Sequence, residues 1–105
     1  MESAQELNKK GFFRAAGAVT GVILEAHLLQ VCENHTIKVT KKDPAIGDLN
    51  DLLKANNVIE TPMWRFIQHL ADLRNKCDHK KQTEPTKEEI EELIEGVSKT
   101  TKSLF

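Results

Sequence analysis

Apolar residues recur at steps of three and four along most of the chain, a spacing typical of amphipathic helices. The first such segment runs from about Ser3 to His35 and predicts one long helix. It carries two neighbouring apolar stripes, so we expect it to be central and to contact other helices on two sides. The first stripe is Phe12, Ala16, Val19, Ile23, Ala26, Leu29 and Cys32, and the second is Leu24, Leu28 and Val31.

Two glycines lie four residues apart in this helix, at Gly17 and Gly21. Glycine inside a helix costs up to about 1 kcal/mol against alanine. The pair therefore has two interpretations: the helix merely tolerates the glycines, or they let another helix come close.

Polar residues from Thr36 to Pro44 show no period and predict a loop. A short helix follows, in which Asp48 is the expected N-cap and Leu49, Leu52 and Leu53 are the apolar side. Asparagine tolerates a left-handed backbone, so Asn56 and Asn57 are expected to end this helix.

Thr61 and Pro62 predict the start of a third helix, with Thr61 as N-cap, that reaches about Lys80. After a break from Gln82 to Pro85, Thr86 and Glu89 have the spacing of a capping box and open a fourth helix. The third helix carries the apolar stripe Met63, Phe66, Ile67, Leu70, Leu73 and Cys77, and the fourth carries Ile90, Leu93, Ile94, Val97 and Leu104.

Four helices with short connections predict an all-α, up-and-down four-helix bundle. At 105 residues the chain is expected to form one domain, residues 1–105, either by itself or as a piece of a longer protein. Hydrophobic residues make up 39% and charged residues 30% of the chain, a balance typical of globular proteins. The net charge of −1 leaves no overall field to attract nucleic acid, so such binding would need a local patch.

The apolar run from Ala15 to Leu24 has the length of a signal peptide, but Glu2 and Glu6 precede it and the helical period continues beyond Glu25. The run by itself is too short to span a bilayer. Cys32 and Cys77 are too few for a disulfide framework. We therefore expect a cytoplasmic protein without membrane contact.

Signatures of phosphate loops, serine hydrolases, zinc proteases and C-x-x-C metal sites do not occur in the sequence. The remaining candidate chemistry lies near the end of the third helix, at Arg74 and His79. Arg74 borders the apolar stripe and would need an anionic or carbonyl partner. On a regular helix the two side chains point about 140° apart, so they converge only if the helix ends there or a second chain supplies its own copy.

Arg74, Asn75 and His79 match the R-x(4-6)-H motif, with a polar residue after the arginine, of the HEPN superfamily. The chain resembles that superfamily over about residues 12–104, because the helix before the motif and the capped acidic helix after it also lie where the family has them. The resemblance implies a HEPN-like bundle and metal-independent RNA cleavage at a homodimer interface, in a toxin-antitoxin or phage-defence setting, without a cofactor. RNA and an antitoxin protein would be its partners.

In this interpretation His79 transfers protons and Arg74 binds the phosphate oxygens, since histidine titrates near neutral pH and arginine stays charged. Asn75 is expected to orient the phosphate or His79. RNA would be bound by a locally basic stretch, which holds Lys76, Lys80 and Lys81. Glu25 is a candidate supporting residue, because the first helix of the family often adds a polar residue to the site; the alternative is a border residue that is exposed or paired with a lysine. Some HEPN proteins carry a modified Tyr two positions after the histidine; here that position is Lys81 and the chain has no Tyr.

Several alternatives stay open. The bundle could be a non-catalytic HEPN module for dimerisation or ligand binding, and Arg74 could simply pair with Asp78 along the helix. A helix-turn-helix DNA binder is disfavoured, because the third helix opens with apolar residues where bases would be read. A zinc site at His27, Cys32 and His35 is disfavoured as well, and we expect Cys77 and Trp64 to have packing roles.

Overall fold

The structure is a computed structural model that describes residues 1–78 and 84–105, without the side chain of Asp78. The described residues form five helices and no strand, which confirms the all-α class. The prediction of four helices was wrong, because the first predicted helix is two. The helices are α1 (Glu2–Lys9), α2 (Phe13–Asn34), α3 (Ile46–Ala55), α4 (Thr61–Asp78) and α5 (Lys87–Ser103).

The break between α1 and α2 is a tight turn at Gly11, whose φ is +85°. The N–H of Phe12 donates to the carbonyl of Leu7 at 2.9 Å, and the N–H of Gly11 donates to the carbonyl of Asn8 at 3.1 Å. This is a Schellman motif, in which a left-handed residue ends the helix and satisfies its last carbonyls. Glycine adopts this backbone without steric cost, so the chain turns here although the apolar spacing continues.

The same turn ends α2 and α3. Thr36 and Asn57 have φ of 57° and 59°, and the following residues, Ile37 and Val58, donate their N–H groups five residues back at 2.9 and 3.0 Å. The predicted stop at Asn57 is confirmed. Ile37 and Val58 also pack against the core, so each turn returns an apolar side chain to the bundle.

α2 is the central helix, since it contacts all four of the others. The second predicted stripe, Leu24, Leu28 and Val31, is buried as expected. The first stripe is buried only in part, because its members Phe12, Ala26 and Leu29 are exposed. Small residues turn the other side inward, because helices approach most closely where side chains are short. The buried residues of α2 are Ala16, Gly17, Thr20, Gly21, Leu24, Leu28, Val31 and Cys32.

Two helix starts also differ from the sequence prediction. α3 begins at Ile46, so Asp48 is the third helical residue and not the N-cap; its carboxylate accepts the N–H of Ala45 at 2.8 Å. α4 begins at Thr61, and the N–H of Trp64 donates to the carbonyl of Glu60, which places the cap one residue earlier than predicted. The N–H groups at the start of a helix lack backbone partners, so a carboxylate inside the first turn can accept one of them and cap the helix.

The capping box of α5 is confirmed. The N–H of Glu89 donates to the hydroxyl of Thr86 at 3.1 Å, and the Glu89 carboxylate accepts the N–H of Thr86 at 3.0 Å. That carboxylate also accepts a hydrogen bond from Lys76 of α4 at 2.7 Å. The Lys76 ammonium, followed by the Thr86 N–H, lowers the pKa of Glu89. One side chain thus caps α5 and joins it to α4.

α2 is long and apolar enough to cross a membrane by length and composition alone, with 44% of its most apolar window buried inside the fold. The helix continues well beyond the run from Ala15 to Leu24, so its length does not distinguish a membrane span from a core helix. A central helix of a bundle has the same property.

Leu70 lies at the centre of α4 and is fully buried. Replacing Leu70 with Ala should lower the free energy of unfolding by about 2 to 5 kcal/mol, because transfer free energy is lost and a cavity remains. Denaturant melts measure this change. Asp72→Ala, on the exposed side of the same helix, should change it by less than about 0.5 kcal/mol. A similarly small loss for Leu70→Ala would contradict the assigned core.

Glu89→Gln should weaken the link between α4 and α5 by roughly 0.2–1 kcal/mol at pH 7, because the amide keeps the cap but loses the charge. The pKa of Glu89 is lowered in the fold, so its charge stabilises the protein above the pKa of the unfolded chain, about 4.3. This contribution is lost as the pH falls through the lowered value. Melts of both proteins from pH 7 to about pH 3 should therefore converge at the acidic end; an unchanged difference would contradict the role of the charge.

Candidate functional site

The C-terminal half of α4 brings two of the predicted site residues to an open cleft of about 290 Å³. Arg74 and Asn75 line this cleft together with Glu25 of α2. Arg74 is half-buried and Asn75 is exposed. The cleft is closed on its other side by the start of α3. The remaining lining residues are Ala45, Ile46, Gly47, Asp48, Asp51, Gln68 and Ala71.

Arg74 reaches this position because Gly21 has no side chain. A methyl group at Gly21 would overlap the Cγ, Cδ and Nε atoms of Arg74. One turn earlier, a methyl group at Gly17 would overlap the Sγ atom of Cys77. Of the two interpretations of the glycine pair, close approach is therefore confirmed. The aliphatic part of Arg74 packs on the α2 backbone, while the residue still lines the cleft.

Arg14 adds a second guanidinium at the same end of α4, which the sequence analysis did not single out. Its Nη1 donates to the backbone carbonyl of Cys77 at 3.0 Å. The Arg14 guanidinium therefore places a positive charge against the last described turn of α4. On α2, Arg14, Gly21 and Glu25 share one side, since they are seven and four residues apart. This spacing is visible in the sequence and could have indicated that Arg14 lies on the same side of α2 as Glu25.

The cleft also carries carboxylates that the sequence analysis missed as part of a site. Asp48 and Asp51 of α3 join Glu25 among the lining residues. The hydrogen bond from the Ala45 N–H, followed by that from Lys41 at 3.0 Å, lowers the pKa of Asp48. Asp51 accepts a hydrogen bond from Trp64 Nε1 at 2.9 Å. Two of the three carboxylates thus have partners that hold their orientation.

Lys76 has a different position from the one expected of an RNA-binding residue. It follows Asn75 directly but turns toward α5, where it binds the Glu89 carboxylate, and it is absent from the lining of the cleft. Three predicted site residues, His79, Lys80 and Lys81, lie outside the described residues. So does the alternative pairing of Arg74 with the side chain of Asp78.

The other candidates have structural partners in the fold. His27 and His35 bond through Nε2 to the backbone oxygens of Leu104 and Phe105, at 2.7 and 2.8 Å. Cys32 is buried, and burial raises the pKa of its thiol, which opposes metal binding by a thiolate. Among the described residues, no group of three His, Cys, Asp or Glu side chains is arranged to hold a metal ion.

The packing roles expected of Cys77 and Trp64 are confirmed. Cys77 is 5% exposed, lies against Gly17 and belongs to a small apolar cluster with Ala4, Ala16, Ile90 and Ile94. Trp64 is half-buried against the larger apolar cluster, which includes Leu49, Leu53 and Ile67. Met63 and Phe66 pack there too, so the first turns of α4 do not form a free base-reading surface.

The chain was also compared with known proteins. No family model matches it, and no significant match is found among curated proteins or solved structures.

Proposed function

We propose that the protein is a metal-independent endoribonuclease of HEPN type that acts as a homodimer. The observation that carries this proposal is the grouping of Arg74, Asn75 and Glu25 in one cleft, formed by residues from two different helices. The motif predicted Arg74 and Asn75 as site residues, and Glu25 was the expected supporting residue. His79 lies outside the described residues and enters the proposal from the motif alone.

The proposed reaction is an attack of the ribose 2′-hydroxyl on the adjacent phosphorus. A histidine takes the proton of the 2′-hydroxyl, the bond from phosphorus to the 5′-oxygen breaks, and a second proton donor protonates the leaving oxygen. The products are a 2′,3′-cyclic phosphate and a 5′-hydroxyl end. In a homodimer the two copies of His79 supply base and acid, and Arg74 binds the charge that develops on the phosphate oxygens.

The arginines at the C-terminal end of α4 support phosphate binding there. Arg14 is bound to the carbonyl of Cys77 in the last described turn of α4, and Arg74 lines the neighbouring cleft. An arginine offers a planar, always charged donor that fits phosphate oxygens.

His79→Ala should remove nearly all cleavage of single-stranded RNA, because the proton transfer loses its base or acid. Arg74→Lys should also reduce cleavage strongly, since lysine keeps the charge but not the planar fork. The measurement is single-turnover cleavage of a labelled RNA in a chelator, with identification of a 2′,3′-cyclic phosphate. Single-stranded DNA, which lacks the 2′-hydroxyl, should stay intact.

Asp72→Ala is the matched control, because Asp72 is exposed on α4 and absent from the lining of the cleft. It should cleave RNA at the parent rate. Because residues that act as one unit are not additive, the double variant of His79 and Arg74 should be hardly slower than either single one. Cleavage that survives His79→Ala, or that requires added divalent metal, would overturn the mechanism.

Sedimentation at micromolar concentration should give about twice the chain mass. The reason is that the proposed site needs two copies, and the described part of the chain leaves Phe12, Val22 and Phe105 more than half exposed. A monomer at this concentration would contradict the two-copy site.

One observation favours a second candidate function, a non-catalytic HEPN module for ligand binding or dimerisation. The cleft carries three carboxylates, Glu25, Asp48 and Asp51, beside one guanidinium, Arg74. Such a balance repels the phosphates of a nucleic acid more than it attracts them. Dimer formation without cleavage of RNA would favour this module. A cytoplasmic location, a defence role and an antitoxin partner remain part of either proposal.

A further inference from the structure

A second cleft lies between α1 and α5 and shares no lining residue with the cleft that holds Arg74. We call it the α1–α5 cleft. It has a volume of about 360 Å³, which is typical of a site for a small molecule. Asn8 of α1 and Ile94 of α5 form its floor, since each is 4% exposed while the other lining residues are exposed.

Asn8 is a buried amide whose hydrogen bonds are incomplete. Its Nδ2 donates to the carbonyl of Lys87 at 3.5 Å, which is long for such a bond. Its Oδ1 is covered from water and has no hydrogen-bond partner among the described residues. A buried acceptor without a partner costs free energy, because it has given up its bond to water. Lys87 also lines the cleft, so the amide lies where a donor entering the cleft would satisfy it.

Access to this acceptor requires only a change of side-chain rotamer. The lining residues beside Asn8, such as Gln5 and Lys9, are exposed. Exposed side chains change rotamers within nanoseconds, so a ligand that displaces one of them can reach Oδ1.

Four charged side chains surround the amide and are separated by sign along the cleft. Lys9 follows Asn8 in the sequence, and the Asn8 amide bonds to Lys87, so both cations lie at one end. Glu91 and Glu95 follow Lys87 on α5 by four and eight residues, about 6 and 12 Å along the axis at 1.5 Å per residue. The α1–α5 cleft therefore has a positive end and a negative end.

The fold does not use these four charges. Among the described residues, none of the four side chains has a hydrogen-bond or ion-pair partner. Lys87 and Glu91 are four residues apart, but a lysine that precedes a glutamate is the weaker order for a helical pair. Other acids of α5 are occupied, since Glu89 caps the helix and Glu92 binds His69 at 2.8 Å. The charges of the cleft are thus left for a ligand.

We propose that the α1–α5 cleft binds a small zwitterion of the amino-acid class, with a carboxylate and an ammonium group about one helical turn apart. The carboxylate pairs with Lys9 and Lys87, and Lys87 also begins α5, where the helix dipole favours an anion. The ammonium group donates to Asn8 Oδ1 and to the carboxylate of Glu91. Ile94 on the floor contacts the carbon chain between the two groups.

The mixture of charges disfavours other ligands. A phosphate compound would be repelled by Glu91 and Glu95, and a metal ion or a polyamine would be repelled by Lys9 and Lys87. A water molecule satisfies Oδ1 but leaves the four charges unpaired. A molecule that carries both charges matches both ends. This inference goes beyond RNA cleavage and does not depend on it.

The first test is an NMR titration at low salt that follows the side-chain amide signal of Asn8, with 4-aminobutyrate as the probe. This molecule carries the two groups at the ends of a short carbon chain, whereas butyrate and butylamine carry one group each. 4-Aminobutyrate should bind at least about tenfold tighter than either, because each of them leaves one end of the cleft unpaired. Equal dissociation constants for the three probes, or an Asn8 signal that does not shift, would overturn the inference.

Asn8→Leu separates a ligand-binding role of the amide from a structural one. Leucine has a similar shape and favours helices, and it removes the unpartnered acceptor. The melting temperature should hold or rise, while the dissociation constant for 4-aminobutyrate rises at least about tenfold. A lower melting temperature with unchanged binding would show that the amide is structural and would overturn its assigned role.

Glu91→Gln tests the negative end without touching the floor. Binding of 4-aminobutyrate should weaken roughly two- to fivefold, as expected for an exposed ion pair, while binding of butyrate should not change. Glu88→Gln is the matched control, because Glu88 is exposed in the same part of α5 and does not line the cleft. Equal affinities of the two variants for 4-aminobutyrate would contradict the assigned place of the ammonium group.

Discussion

The contact of α4 with α2 at Gly17 and Gly21 is the constraint on which the other packing depends. A side chain at either glycine would overlap Cys77 or Arg74, so this pair of helices can approach as it does only at these positions. The contact fixes the rotation of α2 and thereby decides which of its apolar sides is buried. It also fixes where Arg74 lies. One packing contact therefore sets both the core and the candidate site.

The sequence predicted most helix ends well, because these depend on local interactions. Thr86 and Glu89 form the expected capping box, and Asn57 ends α3 with the expected left-handed backbone. Gly11 was missed because the apolar spacing continues across it, and periodicity alone does not report a turn. Asp48 was placed at the wrong cap position because any of the first N–H groups of a helix can bond to a nearby carboxylate.

The buried side of α2 was harder to predict, and the reason is physical. Both sides of this helix are apolar, so hydrophobicity does not rank them. The decisive residues are small: Gly17, Thr20 and Gly21 face inward, while Val22 and Leu29 face outward. The same ambiguity affected the site. The sequence proposed Arg74, Asn75 and Glu25, which share a cleft, but nothing in the spacing of Asp48 and Asp51 indicated that α3 would close it.

The electrostatics of the cleft follow from this packing. Arg74 lies among carboxylates from α2 and α3, and Arg14 adds a second positive charge at the last described turn of α4. Because two of the three carboxylates are held by Lys41, Ala45 and Trp64, part of their charge is already compensated within the fold. A ligand that displaces water from the cleft would strengthen every interaction of Arg74, attractive and repulsive, since charges removed from water are screened less. The balance between anion binding and repulsion in the cleft is therefore set by how its carboxylates are held as much as by their number.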